Sequence, residues 1–141
     1  PAPTKPAEAA SSVDAIRSLA DAGAYQAASE ACADRIRTGQ ADAAVYFLDA
    51  VLRQVGEDAA GAEEALRRAI YLDPRFVAAH HRLGLLLLGA GRRREGMKAL
   101  QVALALALDL PPGTLLEEGQ GVTAAEFAAA LRSRLQTMDA A

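Results

Sequence analysis

A chain of 141 residues, 52% of them apolar, is long enough for one domain with a buried core. Its net charge of −3 disfavours nucleic acid as a partner, and no uncharged apolar run is long enough to cross a bilayer. The lone cysteine, Cys32, excludes an internal disulfide and fits a reducing, cytoplasmic setting. Aromatic residues are only 4%, while Ala and Leu dominate; that favours closely packed helices over strands, so the expected fold class is all-α.

Residues 1–10 (PAPTKPAEAA) read as a Pro/Ala-rich linker, without the basic-then-apolar order of a signal peptide, which suits a fragment of a longer protein. The first helix is expected to start at Ser11 or Ser12, either of which can cap it, and to reach Ala22, with Val13, Ile16, Leu19 and Ala20 on one side. Gly23 ends it. A second helix runs over residues 25–37, burying Ala28, Cys32 and Ile36, and stops at Thr38-Gly39. The third covers residues 42–55 with Val45, Leu48 and Leu52 inward, and the fourth residues 59–72 with Ala62, Leu66, Ala69 and Ile70 inward.

Asp73-Pro74 marks a boundary, because proline disfavours helical geometry before it and suits the opening of the next helix. The fifth helix is expected over 75–89 with Phe76, Val77, His80, Leu83 and Leu87 inward. The sixth spans 93–108, burying Met97, Leu100, Ala103, Leu104 and Leu108, and Pro111-Pro112-Gly113 stops it. A loop over 111–122 follows, and Thr123 with Glu126 forms a capping box that opens a seventh helix over 123–138. Phe127, Leu131, Leu135 and Met138 share one of its sides, as expected of a helix that covers the open end of a repeat stack.

Glycines punctuate the pattern at 23, 56 and 91, and a period near 34 with two helices per unit is the mark of tetratricopeptide (TPR) repeats. The third unit fits best, with Leu83-Gly84 as the Leu-Gly pair and Gly91 in the turn. In the second, Leu48-Asp49 takes the place of that pair and one residue is inserted after Gly56. Three such units over residues 11–110 imply a short right-handed superhelix closed by the last helix, and a scaffold that holds another protein.

No phosphate loop, Cys-x-x-Cys or metal-ligand spacing is present, so no catalytic, cofactor or metal residue is assigned. His80 falls where a buried residue is wanted, His81 points to the concave groove, and Cys32 is structural. That groove, lined by the first helix of each repeat, is assigned Arg17, Asp21, Tyr46, Ala50, Arg53, Gln54, His81, Leu85 and Leu88, a mix suited to a helix or extended peptide. Val13 and Arg17 stand where a carboxylate clamp needs lysine and asparagine, which argues against chaperone tails as partners. Residues 67–98 carry eight basic and two acidic side chains, and Arg92, Arg93, Arg94 and Lys98 form a candidate docking patch for an acidic partner.

The segment from Ala69 to Leu88, AIYLDPRFVAAHHRLGLLLL, resembles the repeat region behind some bacterial CheR-type chemoreceptor methyltransferases, where a tyrosine commonly precedes Leu-Asp-Pro as Tyr71 does here. The tail is similar too, with Glu117-Glu118-Gly119-Gln120-Gly121-Val122-Thr123-Ala124 before a final helix. The resemblance implies a non-catalytic regulatory arm of a Frz-like or Wsp-like pathway. Its partner would be a chemoreceptor cytoplasmic region or the parent's own catalytic domain, and S-adenosylmethionine would bind upstream, outside this segment. No catalytic residue of that family has a counterpart here. The alternative is a free-standing adaptor that scaffolds a secretion, pilus or envelope complex.

Overall fold

The computed structural model describes residues 12–140; the linker over 1–10 and Ser11 lie outside the described residues. Seven helices and no strand form among the described residues: α1 (Val13–Asp21), α2 (Tyr25–Arg37), α3 (Ala43–Val55), α4 (Ala59–Leu72), α5 (Val77–Gly89), α6 (Arg93–Leu108) and α7 (Ala124–Ala140). The chain divides between Asp73 and Pro74 into two compact units, α1–α4 and α5–α7.

Short polar side chains set the starts of α1, α3, α4 and α7. Ser12 Oγ accepts the Ala15 N–H at 3.2 Å, Asp42 Oδ1 the Val45 N–H at 3.0 Å, and Asp58 Oδ1 the Gly61 N–H at 3.0 Å. Before α7 the capping box closes both ways: Glu126 N–H donates to Thr123 Oγ1 at 3.2 Å and Thr123 N–H to Glu126 Oε1 at 3.3 Å.

The turns fix the repeat register. Backbone in the left-handed region occurs at Gly23, Glu57 and Gly91, each 34 residues from the next. The second helices of the hairpins begin at 25, 59 and 93, again 34 apart. This corrects the sequence register: there is no insertion after Gly56, because the turn conformation falls on Glu57 (φ 61°) and Gly56 keeps a negative φ. Gly84 therefore corresponds to Ala50 and Leu83 to Asp49, not Leu83-Gly84 to Leu48-Asp49.

In the first unit α1 packs on α2 and α3, α2 on α3, and α3 on α4. Ile16, Ala28, Cys32, Val45, Leu66 and Ala69 are completely buried there. In the second unit α5 packs on α6 and α6 on α7. Its core joins Val77, Leu100, Ala103 and Ala107 to Leu116 of the loop and to Ala124, Ala128, Leu131 and Leu135 of α7.

Three expectations for the second unit need correction. Helix α5 starts at Val77, because Pro74 and Arg75 form a turn and Phe76, buried, occupies the cap position. His80 is half-buried, and its Nε2 meets the Pro74 carbonyl at 2.8 Å, so it ties this turn down. Leu108 is exposed and Leu104 half-buried, because the buried stripe of α6 runs through Gly96, Ala99, Leu100, Ala103 and Ala107. Small residues take that stripe where two helix backbones come close: a Cβ on Gly84 would lie 2.6 Å from Leu100 Cδ2, and one on Gly96 would lie 2.9 Å from the Gly84 carbonyl oxygen.

Candidate protein-binding surfaces

The 34-residue register defines a row on the first helix of each hairpin. Arg17, Val51 and Leu85 correspond to one another, as do Ala20, Gln54 and Leu88, and all six are half-buried. In the first unit, Arg17 Nη1 pairs with Asp14 at 2.7 Å, Asp21 is exposed at the end of α1, and Val55 is exposed beyond Gln54. In the second unit, Leu85 and Leu88 pack against the core that α6 and α7 share. His81 meets Phe127 of α7 edge-on, with ring centroids 5.1 Å apart. Burial, then the charges of Arg134 and Arg82, hold the His81 pKa below its ordinary value, and burial alone lowers that of Arg82.

Three of the nine residues assigned to the groove from sequence fall elsewhere. Ala50 is fully buried and offers a partner no side-chain surface. Tyr46 and Arg53 turn to the α4 side: the Arg68 guanidinium lies 5.9 Å over the Tyr46 ring, and Arg53 Nη1 bonds Asp58 Oδ2 at 2.9 Å. The one-residue slip in register caused this, since His81 corresponds to Phe47 and not to Tyr46. Phe47 and Val51 were missed for the same reason. Phe47 is buried, whereas Val51 keeps part of its surface open.

The basic patch is also divided by its contacts. Arg92 Nε pairs with Glu95 at 2.6 Å, and Arg93 Nη2 donates to the Met138 carbonyl at the far end of α7 at 3.2 Å. Arg94 and Lys98 remain exposed, one turn apart on α6, with no ion pair among the described residues. Much of the basic excess in the surrounding segment is locally balanced: Arg67, Arg68 and Arg75 pair with Glu63, Glu64 and Asp109.

Sequence reasoning overlooked one polar cluster, where Arg53 bridges Asp49 (Nε to Oδ2, 3.1 Å) and Asp58. Hydrogen bonds from Arg53 to Asp49 and then to Asp58 raise the guanidinium pKa, while the Gly61 N–H and then Arg53 lower that of Asp58. The signal was available in the register, since Asp49 and Arg53 occupy the positions of Leu83 and Leu87. Among the described residues no group of three or more His, Cys, Asp or Glu could hold a metal ion, and no helix is long and apolar enough to cross a membrane.

Helix-turn-helix units at a 34-residue period, closed by a further helix, define an all-α fold of the tetratricopeptide type. The solved structures similar to it include the type III secretion translocator chaperone SycD of Yersinia enterocolitica, with a TM-score of 0.68 at 13% identity, covering 95% of this chain and 90% of that one. A second SycD structure, an alternative dimer, gives 0.66 at 14% identity, covering 86% and 89%. MamA gives 0.65 at 19% identity, covering 92% and 79%. No family model and no curated protein matches the chain in sequence. At these identities the likeness establishes the fold alone.

Proposed function

We propose that this chain is a non-catalytic protein-binding module that serves as the regulatory arm of a chemoreceptor glutamate methyltransferase. The observation that carries the binding role is the half-buried set on the first helices of the first unit, Arg17 and Ala20 of α1 and the corresponding Val51 and Gln54 of α3, 34 residues on. The methyltransferase assignment is supported by the resemblance of the Tyr71-Leu72-Asp73-Pro74 junction and of the tail around Thr123. In this reading the module governs which receptor glutamates are modified, by engaging the receptor's cytoplasmic region or the parent's catalytic domain.

A second reading is an adaptor that scaffolds a secretion, pilus or envelope complex, a role that the fold shared with the secretion chaperone SycD would equally allow. Receptor methylation by the parent protein, measured with and without this segment, separates the two. A changed rate or pattern of modified glutamates supports the regulatory arm. Identical methylation, or a parent with no methyltransferase domain, transfers the assignment to the adaptor.

A further inference from the structure

The 34-residue register lets the outer faces of α2, α4 and α6 be compared position by position. On α6 the side opposite the buried stripe presents Arg94, Lys98, Val102, Ala105 and Leu108, spaced three and four residues apart and all exposed. The corresponding face of α2 holds Gln26, Glu30, Asp34 and Arg37, which bond along the helix. Gln26 Nε2 donates to Glu30 Oε1 at 3.4 Å, and Arg37 pairs with Asp34 at 3.1 Å. On α4 the face holds Ala60, Glu64, Arg68 and Tyr71, with Arg68 paired to Glu64 at 3.4 Å. Where α6 has Val102, the other two helices therefore have a charged side chain engaged on its own helix.

The α6 face is built differently. Arg94 and Lys98 make no ion pair among the described residues, and the carboxylates at the two ends of the helix are engaged elsewhere: Glu95 by Arg92 and Asp109 by Arg75, each at 2.6 Å. Two like charges one turn apart repel, and near a helix N-terminus they also oppose the dipole. Beyond them Val102 is 36% exposed and Leu108 52%, so hydrocarbon that could be buried faces water. None of this helps the helix itself. From Arg94 to Leu108 the face is about 21 Å long, cationic at one end and aliphatic at the other. Its complement is a surface with carboxylates at one end and aliphatic side chains beyond them. Ridges three and four residues apart receive the side chains of a second helix better than those of an extended strand.

We propose that the outer face of α6 docks an amphipathic helix of the partner protein, its carboxylates on Arg94 and Lys98 and its aliphatic side chains on Val102, Ala105 and Leu108. The inference rests on the reading of the chain as a protein-binding module, and a synthetic peptide tests the face without that partner. The probe is a fluorescent helical peptide of about 16 residues, with two glutamates one turn apart and leucines following on the same side. Titrated with the full chain and read by anisotropy, it should bind saturably, and a version with lysines for the glutamates should bind about tenfold or more weakly. Val102→Gln with Leu108→Gln should weaken the acidic peptide about tenfold while the chain stays folded, because both sites are exposed and glutamine suits a helix. Should that pair disturb the fold, Leu108→Gln alone decides the matter. No saturable binding, equal affinity for the lysine peptide, or full affinity in the folded glutamine variant would overturn the proposal. So would self-association of the free chain that the same substitutions abolish, read by sedimentation, since it would give the face to a second copy. Peptide binding that depends on α6 supports the face even where methylation is unchanged by this segment, so the two failures are distinct.

Discussion

Glu57 shows how a single residue can hold a turn that its chemistry does not favour. Its φ of 61° lies where a Cβ is crowded, and the two equivalent turns use Gly23 and Gly91. Glu57→Gly should therefore stabilise the chain by about 0.5–1 kcal/mol, read from urea midpoints at constant slope. A substitution that lowers the midpoint would mean that the glutamate side chain contributes more than the strain costs. His81 gives a pH prediction. Burial and the neighbouring arginines depress its folded-state pKa below the ordinary value of 6.5, so the unfolded chain binds that proton more tightly. Its contribution is complete above the unfolded pKa and is lost as pH falls through the folded one. His81→Gln should flatten the acid limb of the stability profile as pH falls below the ordinary histidine value of 6.5. An unchanged limb would show that other groups set it. Cys32, raised to about 12 and completely buried, should react with a thiol reagent at about neutral pH only as fast as the chain opens.

At the scale of the helix, most of the fold was legible because punctuation and period agree. The bounds of α2, α4 and α6 coincide with the sequence expectation, since glycine, proline and short polar caps stand at their ends. What the sequence concealed was register, because Gly56 resembles the turn residue while Glu57 performs its part. That slip carried Tyr46, Ala50 and Arg53 onto the wrong face and hid the correspondence of Asp49 with Leu83. Leu108 misled for a different reason: alternating Ala and Leu offers two apolar stripes, and close helix approach selects the alanine one over the more hydrophobic leucine one. That approach can be tested at Gly84, where a Cβ would lie 2.6 Å from Leu100 and 3.0 Å from the Gly96 carbonyl oxygen. Helix propensity alone would favour alanine by about 1 kcal/mol, yet Gly84→Ala should cost about 1–3 kcal/mol net, because neither the buried leucine nor the backbone can yield cheaply. The position itself is not incompatible with alanine, since Ala50 occupies it in α3. A gain in stability would show that the α5–α6 crossing is looser than its geometry implies.

Over the whole molecule, charge decides which surface can steer a partner. The sequence shows an excess of six positive charges between Arg67 and Lys98 on a chain of net −3, yet the structure pairs off much of that excess. Arg92 is spent on Glu95, and Arg93 on the carbonyl of Met138, so replacing the whole arginine run would disturb α7 as well as any docking. The informative pair is Arg94 and Lys98, exposed one helical turn apart at the N-terminal end of α6. Cations there face the positive end of the helix dipole, an arrangement that does nothing for the helix itself. Arg94→Glu with Lys98→Glu should therefore leave thermal stability unchanged or slightly raised. If this patch steers an acidic partner such as a glutamate-rich receptor helix, the same change should slow association by about tenfold at low salt, and the difference should shrink as salt is added. Calorimetry on the chain and stopped-flow association with the receptor's cytoplasmic region read the two effects separately. Equal association rates for both proteins at low salt would remove the patch from the binding surface.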